Sequence, residues 1–174
     1  KYVDVILPLP VDGFFTYSLK QDHSDICIGQ RVVVQFGKRK LYTAIVINIH
    51  ETKPSLYTAK DVLAILDESN LVSKKQIEFW KWMSSYYMCR IGDVMNVALP
   101  SSLKLASESK IMIHPDFDGD LQGLNSQESK IINEIAIKES LIVRDIITLL
   151  DQSSVFIIIN ELIKENNTNF KGVG

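Results

Sequence analysis

The chain of 174 residues is poor in the side chains that most often build metal and redox centres. It has only two cysteines, Cys27 and Cys89, and neither has a partner at the CxxC spacing of zinc or redox sites. The three histidines, His23, His50 and His114, lie far apart and without cysteines nearby. We therefore expect no metal site and two inert, reduced thiols, as in a cytoplasmic protein.

Long apolar runs are also missing. No stretch of about 18 apolar residues occurs, which argues against a membrane-spanning helix. The N-terminal residues lack a basic region followed by an apolar core, so we expect no secretory signal and no membrane partner. With 46% hydrophobic and 23% charged residues, the composition is that of a globular protein.

A strong positive charge, the usual mark of a nucleic-acid-binding protein, is absent, since the net charge is −2. The charge is unevenly distributed, however. Residues 1–105 carry 13 lysines and arginines against 10 aspartates and glutamates, a net of +3, whereas residues 106–174 carry 6 against 11, a net of −5. This asymmetry predicts two modules, residues 1–105 and residues 106–174.

The first module has the pattern of a mainly β unit. Strand-like stretches, rich in β-branched and aromatic residues, cover residues 2–8, 14–17, 31–36, 42–49 and 61–66. Five such strands are enough to close as a small barrel. The turn at Gly37 carries three consecutive cations, Lys38, Arg39 and Lys40, at a hairpin tip. They are interpreted either as a solvated tip or as a contact to a nucleic-acid backbone.

From Ser73 onward the apolar period becomes helical. Ser73 is a candidate cap for a helix that should end near Arg90, followed by a short closing element at residues 93–100. Apolar residues occur on two faces of this helix, which predicts burial on both sides. We therefore interpret its large aromatic residues as core and not as a stacking surface: Phe79, Trp80, Trp82, Tyr86 and Tyr87.

The second module follows a polar linker at residues 101–109. A short strand is expected at residues 110–114, then a helix capped at Asn125, a second helix at residues 141–151 and a third capped at Ser153 or Ser154. Three short helices after a strand suggest a winged helix, with residues 166–174 as a truncated wing or a frayed end. The fold class predicted for the whole chain is α+β.

Three segments, taken together in their order and spacing, resemble the PriA family of bacterial replication-restart helicases, also called primosomal protein N-prime. They are LPLP at residues 7–10 with FTY at 15–17, GQRVVVQFGK at 29–38 with the strand at 45–49, and YY at 86–87 with IGDV at 91–94 and ALP at 98–100. The resemblance covers nearly the whole chain, because the family places its winged helix where the three-helix segment lies.

The resemblance implies that the first domain captures the 3′-terminal nucleotide of the nascent leading strand at a stalled fork. Carried over by position, the pocket residues are Phe15, Thr16, Tyr17, Gly37 and Lys60. Thr16 departs from the family pattern, which often has aspartate there. In the family that aspartate accepts a hydrogen bond from the terminal 3′-hydroxyl or from a base edge. A threonine hydroxyl can still accept one, but it carries no charge, so the contact should be weaker.

The residues themselves suit such a pocket. Phe15 and Tyr17 lie two apart on a strand, so both should face one side and could flank a base; the alternative is that both fill the barrel core. Gly37 would allow close approach of the backbone. Lys60 is a candidate phosphate partner or a solvated lysine.

The DNA-binding role of the second module is less clear from the sequence. Its last helix offers only Asn160 and Lys164 as polar contacts, so duplex binding and a scaffolding role both stay open.

No catalytic constellation stands out, and the GxxxxGK[ST] phosphate loop is missing. We therefore expect this chain to bind and not to catalyse, and to need no cofactor. The resemblance assigns ATP with magnesium, and zinc, to a motor and a cysteine-rich insertion that this chain lacks. It implies forked DNA with a 3′-hydroxyl end, single-stranded-DNA-binding protein and other primosome proteins as partners. The alternatives are a protein-interaction module that orients the motor or docks single-stranded-DNA-binding protein, and an RNA-binding barrel.

Overall fold

The computed structural model describes residues 1–20, 25–55, 57–113, 125–150, 154–165 and 170–173. They belong to two compact units, Lys1–Lys104 and Leu105–Gly174. Strands and helices occur in both units, so the predicted α+β fold class is confirmed. Within the described residues, no helix has the length and apolarity needed to cross a bilayer.

The first unit is built on one antiparallel sheet of five strands. They are β1 (Tyr2–Ile6), β2 (Phe15–Ser18), β3 (Arg31–Phe36), β4 (Lys40–His50) and β5 (Val62–Ile65). Their order in the sheet is β2-β1-β4-β3-β5. All five expected strands are present with slightly different bounds. The prolines that follow β1 explain why it ends before residue 8, since proline has no N–H to donate to a neighbouring strand.

The sheet curls until its two outer strands meet. The Ser18 N–H donates to the Lys60 carbonyl at 2.8 Å, and Ser18 forms a parallel bridge with Asp61, just before β5. The Ser18 hydroxyl also donates to the Asp61 carboxylate. We call the junction between β2 and residues 57–61 the seam. Among the described residues, backbone pairing across the seam occurs only at Ser18, so the sheet is a half-barrel with an opening beside that point.

The inner face of this half-barrel holds a buried apolar core. Val3, Val5, Val32, Val34 and Val46 are fully buried there. These valines alternate with residues on the opposite face, as the period of two in a strand requires. Complete burial of each valine contributes roughly 1.5–3 kcal/mol, so the core fixes which face of each strand points inward.

An ion pair ties β3 to the residues that follow β5. The Arg31 guanidinium donates to Asp67 through Nε at 3.0 Å and through Nη2 at 2.6 Å, and the Arg31 backbone N–H donates to the same carboxylate at 3.0 Å. The two side chains are 1% and 9% exposed. The Arg31 Nη1 also donates to the Leu103 carbonyl at 3.5 Å.

Two helices follow the sheet where one was expected. The cap predicted at Ser73 is confirmed, and it is part of a capping box in which Gln76 is the partner; α1 covers Lys74–Tyr86. A continuous helix to Arg90 is wrong, because Met88 turns into the left-handed region at φ 51° and interrupts it. The expected closing element at residues 93–100 is instead a helix, α2 (Ile91–Ala98).

Glycine is required at one position of α2. A Cβ on Gly92 would lie 2.0 Å from the Leu9 carbonyl oxygen, which no side chain could tolerate. The helix therefore packs its backbone directly on the proline-containing segment after β1. The glycine of the IGDV sequence thus has a packing role.

The prediction that α1 is buried on both sides is wrong. Ile77 and Trp80 are buried, but Phe79 and Trp82 are each 54% exposed. The sheet covers only one face of the helix, so helical spacing of aromatic residues did not suffice to indicate core. The exposed rings contact one another instead: Phe79 stacks on Trp82 at a centroid distance of 5.8 Å and Trp82 on Tyr86 at 5.1 Å, whereas Tyr87 meets Tyr86 edge-on at 4.9 Å.

The second unit combines three helices with a small antiparallel sheet. Its elements are β6 (Lys110–Ile113), α3 (Ser126–Lys138), β7 (Leu141–Ile142), α4 (Val143–Leu150), α5 (Val155–Glu165) and β8 (Phe170–Val173). The strand order is β7-β6-β8. The capping box predicted at Asn125 is confirmed, with Glu128 as its partner. His114, expected in the first strand, lies outside the described residues.

One expectation for the second unit differs from the structure. Leu141 and Ile142 form a short strand, so the second helix begins only at Val143. Residues 170–173, expected in a truncated wing or a frayed end, pair with β6, with Phe170 opposite Ile113, so the alternative of a frayed end is wrong for them. Strand pairing depends on partners distant in the sequence, so the local pattern gave no sign of it.

Candidate functional site

A cavity of about 260 Å³ lies where the seam is unpaired, and we call it the seam cavity. Its volume is near the lower end of the range of roughly 300–1,000 Å³ that is typical of small-molecule sites. All five residues that the resemblance placed in a pocket line it. The complete lining consists of Phe15, Thr16, Tyr17, Gln35, Phe36, Gly37, Tyr57, Thr58 and Lys60.

The cavity is explained by two backbone N–H groups of β2 that bond to different kinds of acceptor. Strand β2 is at the edge of the sheet, and the N–H groups of Thr16 and Ser18 both point away from β1. The Ser18 N–H reaches a backbone carbonyl. The Thr16 N–H instead donates to the phenol oxygen of Tyr57 at 2.9 Å. A side chain thus holds the seam apart at Thr16, and the space beside it is the cavity.

The apolar part of the lining includes two residues of β2. Phe15 is half-buried and packs edge-on against Phe36, with 4.8 Å between ring centroids. Tyr17 is only 4% exposed and belongs to the barrel core. Its hydroxyl donates to the Gln35 carbonyl at 3.1 Å. Tyr17 therefore lies beneath the cavity as its floor and offers no second free ring beside Phe15.

The Tyr17 phenol stays neutral. Burial raises its pKa well above the ordinary value for tyrosine, and the neighbouring Tyr57 phenol raises it further. A neutral phenol keeps its hydrogen and can donate it to the Gln35 carbonyl. The floor of the cavity therefore carries no charge.

A lysine crosses one side of the cavity. The Lys60 ammonium donates to the Gly37 carbonyl at 2.6 Å, and the lysine side chain is exposed. Gly37 has φ +69°, and a Cβ there would meet nothing within 4 Å. Its glycine identity therefore follows from the left-handed backbone of the turn, while the space beside it is open to a ligand.

The Thr16 hydroxyl has a partner on the neighbouring strand. It donates to Asp4 at 2.7 Å, and Asp4 also contacts Asn48 and His50, each at 3.1 Å. Burial of the Asp4 carboxyl would raise its pKa, but the hydrogen bonds from these three residues, together with the charge of His50, hold the pKa below its usual value. The Thr16 proton is thus committed to Asp4, and the hydroxyl can serve a ligand only as an acceptor.

A second, more basic depression adjoins the seam cavity, and we call it the hairpin groove. Its volume is about 520 Å³, and it shares Phe36 and Gly37 with the seam cavity. The three cations expected at the hairpin tip are exposed along it. The groove is lined by Leu9, Phe36, Gly37, Lys38, Arg39, Lys40 and Tyr42.

Sequence reasoning missed Tyr57, which is 46% exposed at the cavity. The only signal was a single aromatic residue in an otherwise polar loop, three positions before Lys60. Asn160, considered as a DNA contact, is 3% exposed and therefore does not face a ligand, and the Lys164 side chain lies outside the described part of the structure. Among the described residues, no three His, Cys, Asp or Glu side chains are placed to share a metal ion.

A family model for the PriA 3′ DNA-binding domain matches residues 4–100, which is more than half of the chain. The chain belongs to the PriA family. The matched stretch coincides with the half-barrel and its two helices. The first unit is therefore the 3′ DNA-binding domain of this family, and both the seam cavity and the hairpin groove lie within it.

Curated relatives match the same region. The chain is 33% identical over 107 residues to replication restart protein PriA of Rickettsia prowazekii and 31% identical over 104 residues to that of Haemophilus influenzae. It is 24% identical over 105 residues to the Treponema pallidum protein of the same name. These matches cover 58–60% of this chain but only 14–16% of each relative.

Proposed function

We propose that the first unit captures the 3′-terminal nucleotide of a DNA strand in the seam cavity, whatever its base. The observation that carries this proposal is the convergence of an apolar wall, a lysine and a backbone opening in one cavity of a PriA-family 3′ DNA-binding domain. At a stalled fork, the captured end is that of the nascent leading strand. In the full-length protein this contact directs an ATP-dependent 3′–5′ motor.

The terminal base lies against the Phe15 side of the cavity. Stacking on an aromatic ring contributes roughly 1–3 kcal/mol per base and is available to every base, because each has a π-face. The neutral floor formed by Tyr17 offers no group that would select one base over another. An apolar wall with an uncharged floor supports binding that is independent of sequence.

The phosphate behind the terminal sugar is bound by Lys60. One of the three ammonium hydrogens is used by the Gly37 carbonyl, which leaves two for a phosphate oxygen. Phosphates further along the strand lie in the hairpin groove near Lys38, Arg39 and Lys40. The shared wall of the two depressions supports this path, since a strand leaving the seam cavity past Gly37 enters the groove directly.

The 3′-hydroxyl donates to the Thr16 hydroxyl oxygen. Because Asp4 holds the Thr16 proton, the oxygen is left as an acceptor, and the neighbouring carboxylate increases its electron density. A neutral acceptor forms a weaker hydrogen bond than a carboxylate would, so the end contact should contribute less here than in relatives with aspartate.

The decisive test compares oligonucleotides that differ only in the chemical group at the 3′ end. Binding of a 5′-fluorescein-labelled single strand ending in a 3′-hydroxyl is measured by anisotropy beside the same strand ending in a 3′-phosphate. We expect the phosphate end to bind at least about fivefold more weakly, because a hydrogen bond is lost and bulk and charge are added in a cavity of about 260 Å³. Equal affinity for the two ends would rule out end capture.

The second unit supports a different candidate role. We infer a winged helix from its three helices and its sheet of order β7-β6-β8. The net charge of −5 for residues 106–174 and the burial of Asn160 favour contact with protein over contact with duplex DNA. The motor, single-stranded-DNA-binding protein and other primosome proteins are the proposed partners. Binding of the isolated chain to a C-terminal peptide of single-stranded-DNA-binding protein tests this by calorimetry.

A further inference from the structure

The position of Tyr57 in the seam cavity has a consequence for how a terminal base is held. We propose that Tyr57 supplies the second aromatic wall of the cavity and covers the terminal base opposite Phe15. This inference rests on the proposed function and identifies a binding residue that neither the sequence pattern nor the resemblance indicated.

The first argument is that the other expected wall is occupied. Tyr17 is 4% exposed and its hydroxyl is bonded to the Gln35 carbonyl, so its ring faces cannot both be reached by a ligand. Phe15 packs edge-on against Phe36 and offers one side at most. If aromatic rings cover both faces of the terminal base, the second ring must therefore come from another part of the chain.

The second argument is that Tyr57 is anchored without being buried. Its phenol oxygen accepts the Thr16 N–H at 2.9 Å, while the residue stays 46% exposed. An exposed aromatic side chain in a loop would ordinarily sample several rotamers, and ordering it costs entropy when a ligand binds. The hydrogen bond to an edge donor of β2 holds the ring at the cavity before the ligand arrives, which lowers this cost.

The third argument is the chemistry around the ring. The Tyr57 oxygen accepts a hydrogen bond from the Thr16 N–H, which ties the ring to the strand that also carries Phe15. Lys60, three residues later, reaches the Gly37 carbonyl on the other side of the cavity. One short loop thus provides both a stacking surface and a cation, the pair of groups that single-strand binding sites combine.

The experiment uses the whole chain and two single strands that end in a 3′-hydroxyl. One strand has a normal last nucleotide, and the other has an abasic last nucleotide with the same sugar and phosphate. Anisotropy is measured for the wild type, Tyr57→Ala, Tyr57→Phe and a control, Tyr87→Ala, which removes a tyrosine that is 64% exposed outside the cavity. Thermal melting of each variant reports whether the fold is retained.

We expect Tyr57→Ala to bind the normal strand roughly tenfold more weakly, as the loss of one stacked ring predicts. The abasic strand should bind Tyr57→Ala and the wild type about equally, because no base remains to be covered. Tyr57→Phe should keep most of the affinity, since it keeps the ring and loses only the anchor. Tyr87→Ala should match the wild type, and all four melting temperatures should be similar.

Two results would overturn the inference while leaving end capture intact. One is that Tyr57→Ala binds the normal strand as tightly as the wild type does, while the wild type still prefers the 3′-hydroxyl end. The other is an equal loss on the normal and abasic strands, which would assign Tyr57 to the sugar or phosphate. A wild type with no preference for a 3′-hydroxyl would overturn the proposed function, and this inference with it.

Discussion

Two cations each link neighbouring segments of the half-barrel: Arg31 through its ion pair with Asp67, and Lys60 at the seam cavity. Their surroundings are opposite. Arg31 is 1% exposed and makes several hydrogen bonds to a single carboxylate. Lys60 is exposed and makes one hydrogen bond, to the Gly37 carbonyl. The guanidinium is shielded from water and bonded to a fixed partner, whereas the ammonium has two hydrogens left to donate to a ligand.

This difference separates a cation that maintains the fold from one that is available to a ligand. A buried charge whose partner is removed stays desolvated and uncompensated, so either half of the pair is indispensable once the other is present. An exposed ammonium loses almost nothing when its carbonyl partner moves away, because water replaces it. Binding can therefore use Lys60 without weakening the unit, and the same is not possible for Arg31.

The largest expected effect comes from breaking the buried pair. Asp67→Ala should lower the free energy of unfolding of the first unit by about 3–5 kcal/mol, because Arg31 is left buried and unpaired. Urea denaturation followed by tryptophan fluorescence measures this, since both tryptophans lie in that unit. Lys60→Ala is the matched comparison and should change stability by less than about 0.5 kcal/mol. Similar losses of unfolding free energy in Asp67→Ala and Lys60→Ala would contradict the distinction between a structural and an available cation.

The two tryptophans of α1 provide a second contrast between buried and exposed positions. Trp80→Ala should cost about 3–5 kcal/mol, because a buried ring leaves a cavity in the core. Trp82→Ala, two residues away at 54% exposure, should cost less than about 1 kcal/mol. Denaturation of both variants, followed by circular dichroism, checks this. A costly Trp82→Ala would mean that the stacked row of rings is part of the core.

Lys60→Ala tests the other side of the first comparison. We expect about five- to tenfold weaker binding of a strand with a 3′-hydroxyl end and a slope of log affinity against log salt that is reduced by about 0.7, the value for one phosphate contact with a single strand. Anisotropy at several salt concentrations measures both quantities. Lys53→Ala, in the same loop and also exposed, is the control and should change neither. An unchanged slope for Lys60→Ala would exclude phosphate contact.

The smallest expected effect concerns Asp4, whose pKa lies below its ordinary value of 3.8. Because the pKa is lowered by folding, the stabilisation is fully present above the unfolded pKa and is lost as pH falls through the folded pKa. The effect should stay below about 1 kcal/mol, since the site is partly solvated. Urea midpoints of wild type and Asp4→Asn should therefore differ at pH 7, and the difference should shrink as the pH falls below 3.8. A difference that stays constant as the pH falls would require another cause.

Much of the secondary structure in both units followed from local patterns. The strands and the caps at Ser73 and Asn125 depend on side-chain alternation and on hydrogen bonds between near neighbours, and both were predicted correctly. The aromatic residues of α1 were not, because a helical period shows which residues share a face but not how many faces are covered. Trp80 and Trp82 lie two positions apart in the same stretch of sequence. Only the position of the sheet determines that the first is buried and the second exposed.

The candidate site shows the same limit. Residues 15–17, Gly37 and Lys60 were named together from the family resemblance, and the structure brings all five to one cavity. The burial of Tyr17, the Thr16–Asp4 hydrogen bond and the role of Tyr57 at the seam could not be predicted. Each depends on a contact between residues 12 to 41 positions apart, for which a single sequence carries no signal.

The sequence by itself determined the α+β class, the five strands, the hairpin with three cations at its tip and the family to which the chain belongs. All of these follow from residue periods, turn residues and motif order, which are properties of neighbouring positions. Tertiary structure alone decided where the half-barrel stays open and which rings reach that opening. Closure of a sheet depends on how far its edge strands curl towards each other, and that distance is set by the packing of the whole core.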